Sequence, residues 1–300
     1  MTMIKSFADL MTEAKAKGPR KVAVAVAQDE VVLEALELAR KEKIATPVLF
    51  GDRQAIEEAA QKAQVALKGW DIADIRDQAE ASRAAVQAVS SGKADFLMKG
   101  LVATSTFLKA VLDKEVGLRT GRLLSHVAVM EAPGYHKLLF ITDGGMCVRP
   151  DLPAKADIVT NAVAVVRSLG IDTPKVALLA AVEVLNPEMP ETADAAELAK
   201  MAERGQIKNC LVDGPLAIDL AVSAEAARHK KIKSAVAGDA DILVVPEIVC
   251  GNVLAKSLIY LAGGKGGGLI AGAARPVVML SRADSRETKL NSIALGVVSC

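Results

Sequence analysis

Short apolar runs alternate along the chain with longer stretches in which apolar residues recur at helical spacing. Residues 21–27 alternate valine and alanine after a lysine, which predicts a strand, and residues 30–43 carry good helix formers at helical spacing. The same succession predicts further strands at 45–50, 94–98, 175–179, 208–212, 240–245 and 276–280. It predicts further helices at 54–67, 82–91, 104–113, 155–169, 191–204, 252–262 and 285–296. Such alternation favours right-handed βαβ units around a parallel sheet.

One stretch breaks this alternation. Residues 123–130 and 137–142 are two strand candidates with only a short segment between them. That segment contains Pro133 and Gly134, a pair typical of tight turns. The pattern predicts a β-hairpin, and therefore a mixed rather than a purely parallel sheet. The glycines and prolines that follow within residues 143–153 predict a domain boundary there.

Composition narrows the class of protein. Hydrophobic residues make up 51% of the chain and aromatic residues only 3%, so the core must be built from Ala, Val, Leu and Ile, as in many α/β enzymes. The formal net charge of +1 gives no basic field for nucleic acid or an anionic membrane. No apolar run approaches the roughly 18 residues of a membrane span, and the expected location is the cytoplasm. The cysteines and histidines lack metal-ligand spacing, so no metal is expected.

The segment 281–288 follows a predicted strand and opens a predicted helix. Helix N-termini bind anions, because their free N–H groups point outward and the helix dipole is positive there. Two arginines, Arg282 and Arg286, supply forked donors suited to a phosphate, and two serines add hydroxyls. An ordinary helix start, with Asp284 or Ser285 as the N-cap, accounts for the same residues. The two interpretations are compatible.

The richest cluster of glycines lies at residues 263–268 and includes Gly264 and Gly266. Glycine lets a backbone approach a phosphate group closely. The cluster is neither a Walker A motif nor a dinucleotide fingerprint, because it leads into a predicted strand and not into a helix. A ligand-binding loop and a flexible connection both remain open for this segment.

Residues 99–106 follow a predicted strand and open a helix that carries Lys109. A turn of this kind lies at the carboxyl edge of a parallel sheet, which is where open α/β folds bind ligands. The hydroxyls of Thr104 and Thr106 therefore either bind a phosphate or cap the helix.

A pair of arginines, Arg119 and Arg122, lies just before the predicted hairpin, and Ser125 lies within it. Two close arginines can clamp an anion, and the serine hydroxyl can add a hydrogen bond. A solvated loop is the alternative interpretation of the same segment.

Several motifs occur in one order along the chain: residues 213–219, residues 236–247, Gly251-Asn252, the glycine cluster, and Leu280-Ser281-Arg282. In that order they resemble the phosphate acetyl/butyryltransferase family, and the resemblance covers nearly the whole chain. Residues 98–107, 117–129 and 182–192 are most similar to the phosphate butyryltransferase branch of that family.

The resemblance implies an α/β fold of two domains, with parallel or mixed sheets and helices on both faces, of the isocitrate/isopropylmalate-dehydrogenase-like type. In that family the last strand and helix return to the first domain. The expected domains are therefore residues 1–143 plus 280–300, and residues 144–279, with the active site in the cleft between them. The resemblance also leads us to expect a homodimer or a higher homo-oligomer.

An activity is implied as well: transfer of a short-chain acyl group, butyryl or similar, between coenzyme A and inorganic phosphate. Acyl-CoA and phosphate are then the partners, coenzyme A is a substrate, and no metal or other cofactor takes part. Ser281 and Arg282 match the family's Ser-Arg pair, which lies at the phosphate and the reacting carbonyl. Thr104 and Thr106 lie in its hydroxyl-rich turn, and Lys109 stands where an arginine is usual.

One position departs from the family pattern. Thr288 stands where the family carries an aspartate as the proposed thiol base. Glu287 is adjacent and is the expected substitute, although neighbours on a helix point about 100° apart. The predicted catalytic residues are Ser281, Arg282 and Glu287. The predicted phosphate- and CoA-binding residues are Thr104, Thr106, Lys109, Arg122, Ser125, Gly264, Gly266 and Arg286.

Three other functions stay open at this point. A phosphate acetyltransferase would use acetyl-CoA in the same reaction. A metal- and NAD-dependent decarboxylating dehydrogenase of the same fold would need acidic ligands, for which the candidates are Asp213, Asp219, Asp239 and Asp241. A non-catalytic protein that binds CoA or phosphate would account for the missing aspartate.

Overall fold

The computed structural model of the chain describes residues 4–300. The first three residues of the predicted first domain lie outside that range. The chain divides into two compact units, one formed by residues 8–122 and 267–300 and the other by residues up to 7 and 123–266. The unit formed by residues 8–122 and 267–300 is called the switch unit below. The unit that contains residues 123–266 is called the hairpin unit.

The elements follow one another in the alternation that the sequence predicts. Up to residue 122 they are α1 (Phe7–Lys17), β1 (Arg20–Ala25), α2 (Glu30–Lys41), β2 (Ala45–Gly51), α3 (Arg53–Lys62), β3 (Asp71–Asp74), α4 (Gln78–Ser90), β4 (Phe96–Lys99) and α5 (Thr104–Val111). Then come β5 (Ser125–Glu131), β6 (Leu139–Thr142), α6 (Leu152–Ser168), β7 (Lys175–Leu179), α7 (Pro190–Glu203), β8 (Leu211–Leu216), α8 (Ile218–Val222), α9 (Ala224–His229), β9 (Ile242–Val244) and α10 (Ile248–Tyr260). The last are β10 (Lys265–Ala271), β11 (Val277–Val278) and α11 (Arg286–Val298).

The strands of the switch unit lie in the order β3-β2-β1-β4-β11-β10. Neighbours pair in parallel from β3 to β11, and β10 pairs with β11 in the antiparallel sense. The central strands are buried along their length: Val22 to Ala25 of β1 and all of β4 are inaccessible or nearly so. Continuous small apolar runs of this kind suit strands that are covered on both faces.

The strands of the hairpin unit lie in the order β5-β6-β9-β7-β8. β5 and β6 pair in the antiparallel sense, while β6 with β9, β9 with β7 and β7 with β8 pair in parallel. The hairpin predicted from Pro133 and Gly134 is therefore confirmed, and so is the mixed character of the sheet.

Aspartates set the starts of several helices. Asp29, Asp52, Asp77 and Asp151 each accept a hydrogen bond from a backbone N–H in the first turn of α2, α3, α4 and α6. An N-cap of this type stabilises a helix by about 1 kcal/mol. Helix α11 packs closely on β4, because a Cβ on Gly296 would lie 2.8 Å from the ring of Phe96.

Some predicted elements differ from the structure. The helix predicted at 54–67 ends at Lys62, and Gln64 has a left-handed φ of 54°, which no continuing helix allows. The glycine cluster is not a loop over most of its length, because strand β10 begins at Lys265 and Gly266 to Gly268 are buried. The helices α1, α8 and α9 and the strand β3 were not predicted.

The fold is thus a mixed α/β fold, as predicted. The domain boundaries and the interdomain cleft expected from the family resemblance stay predictions. Within residues 4–300, no helix combines the length and the apolar character that crossing a membrane requires.

Candidate active site

The order of strands in the switch unit locates a ligand site. From β1 the chain proceeds outward to β2 and β3, and it then returns to place β4 on the other side of β1. Open α/β sheets bind ligands outside the carboxyl ends of their strands at the point where the strand order reverses in this way. In this unit that point, called the switch point below, lies between β1 and β4. Ala25 and Lys99, the last residues of the two strands, are opposite each other there.

The loops that leave β1 and β4 are in close contact. The N–H groups of Gly100 and Leu101 donate hydrogen bonds of 2.9 and 2.7 Å to the carbonyl oxygens of Ala25 and Val26. A Cβ on Gly100 would lie 2.2 Å from the Val26 oxygen, and Val26 itself has a positive φ of 56°. The contact requires glycine at position 100, and it fixes where the chain turns towards α5.

Lys99 is a buried cation at this point of the sheet. Its residue is 9% exposed, and its ammonium makes one hydrogen bond to the protein, a long one of 3.4 Å to the Gly100 carbonyl oxygen. Burial and the nearby charges of Arg282 and Lys289 lower the pKa of Lys99, while the carboxylate of Asp29 opposes that shift. A buried ammonium with so few partners has capacity to bind an anion.

Lys289 is a second buried cation, on α11. It is 3% exposed, and its Nζ donates hydrogen bonds of 2.8 Å to the Asp284 carbonyl oxygen and 3.2 Å to the Ser281 carbonyl oxygen. Burial lowers the pKa of Lys289, and the carboxylates of Asp284 and Asp29 oppose that shift. Neither Lys99 nor Lys289 is among the site residues predicted from the sequence, because a lysine side chain is usually solvated at the protein surface.

The segment after β11 forms a tight turn. The Ser281 N–H donates to the Asp284 carboxylate at 2.8 Å, and the Asp284 N–H donates to the Ser281 carbonyl at 3.2 Å. Ser285 then caps α11 by accepting a hydrogen bond from the Thr288 N–H at 3.2 Å. The ordinary helix start that the sequence allowed is therefore present, with Ser285 as the N-cap. Arg282 lies exposed on the turn.

The hydroxyl-rich turn opens α5 at the same strand end as Lys99. Ala103 is the N-cap residue of α5 and has no side chain that could cap it, so Thr104 and Thr106 lie in a first turn with no side-chain cap. Uncapped N–H groups at a helix start form an anion site. Thr104 is exposed and Thr106 is half-buried. Lys109 lies exposed in the last turn of this helix.

The remaining predicted residues of the switch unit are exposed. Arg286 and Glu287 lie in the first turn of α11, next to the Ser281–Arg282 turn. Arg122 is exposed, and its N–H donates to the Thr120 hydroxyl at 3.3 Å.

Three predicted residues belong to the hairpin unit, where the structure gives each a packing role. Ser125 is fully buried in β5, and its hydroxyl accepts a hydrogen bond of 3.0 Å from Asn161. Gly264 donates its N–H to the Leu258 carbonyl at 2.8 Å. A Cβ on Gly266 would lie 2.9 Å from the Ile259 side chain, so there is little room for a larger residue at this position.

Two of the four acidic residues that are candidate metal ligands, Asp239 and Asp241, form ion pairs. Asp239 pairs with His136, Lys137 and Lys175, at 2.9, 2.9 and 2.7 Å. Asp241 pairs with Lys137 at 2.6 Å. Within residues 4–300, no group of three or more His, Cys, Asp or Glu side chains could hold a metal ion.

The switch point, its buried cations and an uncapped helix start together form a candidate anion-binding site in an α/β protein. The model of the Phosphate acetyl/butaryl transferase family matches residues 6–84 and 77–297, and the chain belongs to that family. The resemblance predicted from the motifs is thereby confirmed.

Similar proteins carry names from both branches of this family. A phosphate butyryltransferase from Clostridium acetobutylicum is 52% identical over 296 residues, which cover 99% of this chain and 98% of the relative. A phosphate acetyltransferase from Thermotoga maritima is 47% identical over 289 residues, covering 96% and 98%. The crystal structure of a branched-chain phosphotransacylase from Enterococcus faecalis V583 superposes with a TM-score of 0.83 at 36% identity, over 93% of this chain and 98% of that one.

Proposed function

We propose that the chain transfers a short-chain acyl group between coenzyme A and inorganic phosphate: acyl-CoA + phosphate = acyl phosphate + CoA. The observation that carries this proposal is the convergence of Lys99, Arg282 and Lys289 at the carboxyl ends of β1, β4 and β11, in a member of this family. A cluster of cations beside an uncapped helix start suits a small, doubly charged anion.

The phosphate is held by three kinds of donor in this proposal. Arg282 offers a forked pair of N–H groups, which matches two phosphate oxygens. Lys99 adds a buried charge beneath them. The first turn of α5 adds backbone N–H groups and the hydroxyls of Thr104 and Thr106. Positioning of the nucleophile then provides much of the catalysis, together with charge stabilisation.

The reaction needs a nucleophilic oxygen, an oxyanion partner and a route for one proton. A phosphate oxygen attacks the thioester carbonyl carbon, and the carbonyl oxygen becomes an oxyanion that the Ser281 hydroxyl stabilises. The C–S bond then breaks with its electron pair on sulfur. The proton that hydrogen phosphate brought ends on the CoA sulfur, so that atoms and charge balance.

Glu287 is the proposed carrier of that proton. It is exposed in the first turn of α11. Thr288, which stands in the place of the family's aspartate, has its hydroxyl 3.1 Å from that of Ser285 and is part of the helix cap. The proposal therefore assigns Thr288 no proton transfer.

Butyryl or a similar chain is the proposed acyl group, and acetyl is the alternative. The proposal rests on the similarity of residues 98–107, 117–129 and 182–192 to the butyryltransferase branch. Thiol release should be measured with acetyl-, propionyl-, butyryl- and longer acyl-CoA, each with and without phosphate. A higher kcat/KM for acetyl-CoA than for butyryl-CoA would replace the butyryl proposal with the acetyl one.

A dehydrogenase of the same fold is a weaker candidate. Two of its four candidate ligands, Asp239 and Asp241, form ion pairs with lysines. A change in nicotinamide absorbance with a hydroxy acid would favour it.

A non-catalytic binding protein would show phosphate- or CoA-dependent melting without turnover. We retain as proposals the two-domain isocitrate/isopropylmalate-dehydrogenase-like architecture, the homo-oligomer, and a reaction without metal or cofactor.

A further inference from the structure

Lys289 makes an unusual set of contacts for a buried lysine. Burying an ammonium is costly unless it is paired and hydrogen-bonded. Within residues 4–300, no carboxylate forms an ion pair with Lys289, and its two hydrogen bonds go instead to the carbonyl oxygens of Ser281 and Asp284. These two carbonyls lie at the beginning and the end of one turn.

That turn carries the residues to which the proposed reaction assigns the phosphate and the oxyanion. Its own hydrogen bonds run between Ser281 and Asp284 in both directions. They define the turn but do not attach it to the rest of the unit. Lys289 makes this attachment, because it projects from α11, whose residues 291–298 are buried, and bonds to both ends of the turn.

We propose that Lys289 is a positioning residue for phosphate: it holds the Ser281–Asp284 turn on α11 and so sets the direction in which Arg282 meets the phosphate. The inference rests on the proposed function. Lys289 contributes its charge to the cation cluster but is assigned no hydrogen bond to the phosphate, since two of its three donors are directed to the two carbonyls.

Three substitutions of Lys289 distinguish a loss of phosphate positioning from a loss of overall protein stability. Lys289→Met removes both hydrogen bonds and the charge, Lys289→Gln keeps a short neutral donor, and Lys289→Arg keeps the charge and several donors. Lys137→Met is a control of matched burial, since Lys137 is 9% exposed and bonds to Asp239 and Asp241 at the amino end of β9. Melting temperature and circular dichroism identify which variants are folded.

The substitutions should affect the kinetic constants for phosphate more strongly than KM for butyryl-CoA. A displaced turn misplaces the phosphate, and a misplacement of about 1 Å costs on the order of 10²-fold. We expect Lys289→Met and Lys289→Gln to lower kcat/KM for phosphate by about that factor, through a higher KM for phosphate and a lower kcat, because the turn also carries Ser281. KM for butyryl-CoA should change by less than about threefold. Lys289→Arg should recover a substantial part, and Lys137→Met should leave KM for phosphate unchanged.

Several results would overturn the inference. A folded Lys289→Met or Lys289→Gln protein with wild-type KM for phosphate would do so, as would equal losses for the two substrates. If Lys289→Met does not fold, the Gln and Arg variants decide the question. Absence of phosphate-dependent thiol release from the wild-type protein would refute the proposed function instead, and this result is separate from the outcome of the variants.

Discussion

Gly100 lies against the carbonyl group of Val26, so closely that a Cβ at position 100 would be 2.2 Å from that oxygen. The neighbouring Leu101 N–H donates to the same oxygen at 2.7 Å. The two residues belong to the loops that leave β1 and β4, and their contact brings together the two sides of the switch point. The position of Lys99 and the start of α5 both depend on it.

Gly100→Ala should therefore destabilise the protein and impair its use of phosphate. The new methyl group meets backbone, which cannot rotate away, so the loops must separate. Overpacking of this kind costs about 1–3 kcal/mol, which chemical denaturation would measure as a lower midpoint.

Gly266→Ala is the matched control. A Cβ there is also close, at 2.9 Å, but the nearest atom is the end of the flexible Ile259 side chain. Its effect on stability should therefore be smaller than that of Gly100→Ala. Equal stability and kinetics for Gly100→Ala and wild type would contradict the account of this contact.

Arg282→Ala should reduce turnover strongly. The change removes the guanidinium that we assign to the phosphate, and the loss of one charge-stabilising group costs about 10²-fold or more in kcat. The measurement is the initial rate of thiol release from butyryl-CoA at saturating phosphate. Arg204→Ala serves as a control, because Arg204 is an exposed C-cap residue of α7. A wild-type rate for Arg282→Ala would remove the assignment.

The affinity for phosphate should weaken in the alkaline range. Burial, Arg282 and Lys289 lower the pKa of Lys99, with Asp29 in opposition, so Lys99 loses its proton at a lower pH than an ordinary lysine. KM for phosphate should rise as the pH passes upward through that lowered pKa. Lys99→Arg should reduce the rise, because arginine stays charged. The part that is left is expected from Lys289, whose pKa burial also lowers. A rise of the same size in Lys99→Arg would show that another group titrates.

Asp239 should contribute to stability at neutral pH and lose that contribution in acid. Burial alone would raise the pKa of this carboxyl, but hydrogen bonds and charges from Lys175 and Lys137 outweigh burial and lower the pKa. The unfolded state then binds the proton more tightly, so the contribution is present above an unfolded pKa of about 3.9 and is lost as the pH falls through the folded pKa. Asp239→Asn should be less stable at neutral pH and should show a weaker loss in acid. Parallel acid-unfolding curves for the two proteins would contradict this.

The alternation of elements could be predicted because local pattern and tertiary position agree. β7 has the bounds that its apolar run gives, residues 175–179, and α2 begins at Glu30 after the Asp29 cap, as its pattern predicts. By contrast, β3 is only four residues long and exposed at both ends, and it is a strand because β2 provides a partner. Nothing in the local sequence of Asp71–Asp74 indicates that pairing.

The glycine cluster shows tertiary structure prevailing over local preference. Glycine is unfavourable in strands, yet Gly266 to Gly268 lie buried in β10. The Gly268 N–H donates to the Ser292 hydroxyl of α11 at 3.0 Å. The spacing of apolar residues does not predict this contact. Ser125 and Gly264 likewise fulfil packing roles that the sequence alone does not distinguish from binding.

The candidate site was predicted only in its exposed part. The Ser281–Arg282 turn and the start of α5 could be found from residue type and from their place after strands. Lys99 and Lys289 could not, because burial of a lysine is a property of the folded chain. A weak signal existed for both: Lys99 ends a strand whose other residues are all apolar, and Lys289 lies one helical turn before the apolar residue Ile293 of α11.

The most direct test of the central claim follows both products of one reaction. The initial rate of thiol release from butyryl-CoA is measured over a range of phosphate concentrations, and the acyl phosphate formed is trapped with hydroxylamine and counted. Acyl transfer to phosphate should show a saturable dependence on phosphate and yield one acyl phosphate for each thiol released. Thiol release that is independent of phosphate, or that yields no acyl phosphate, would contradict it.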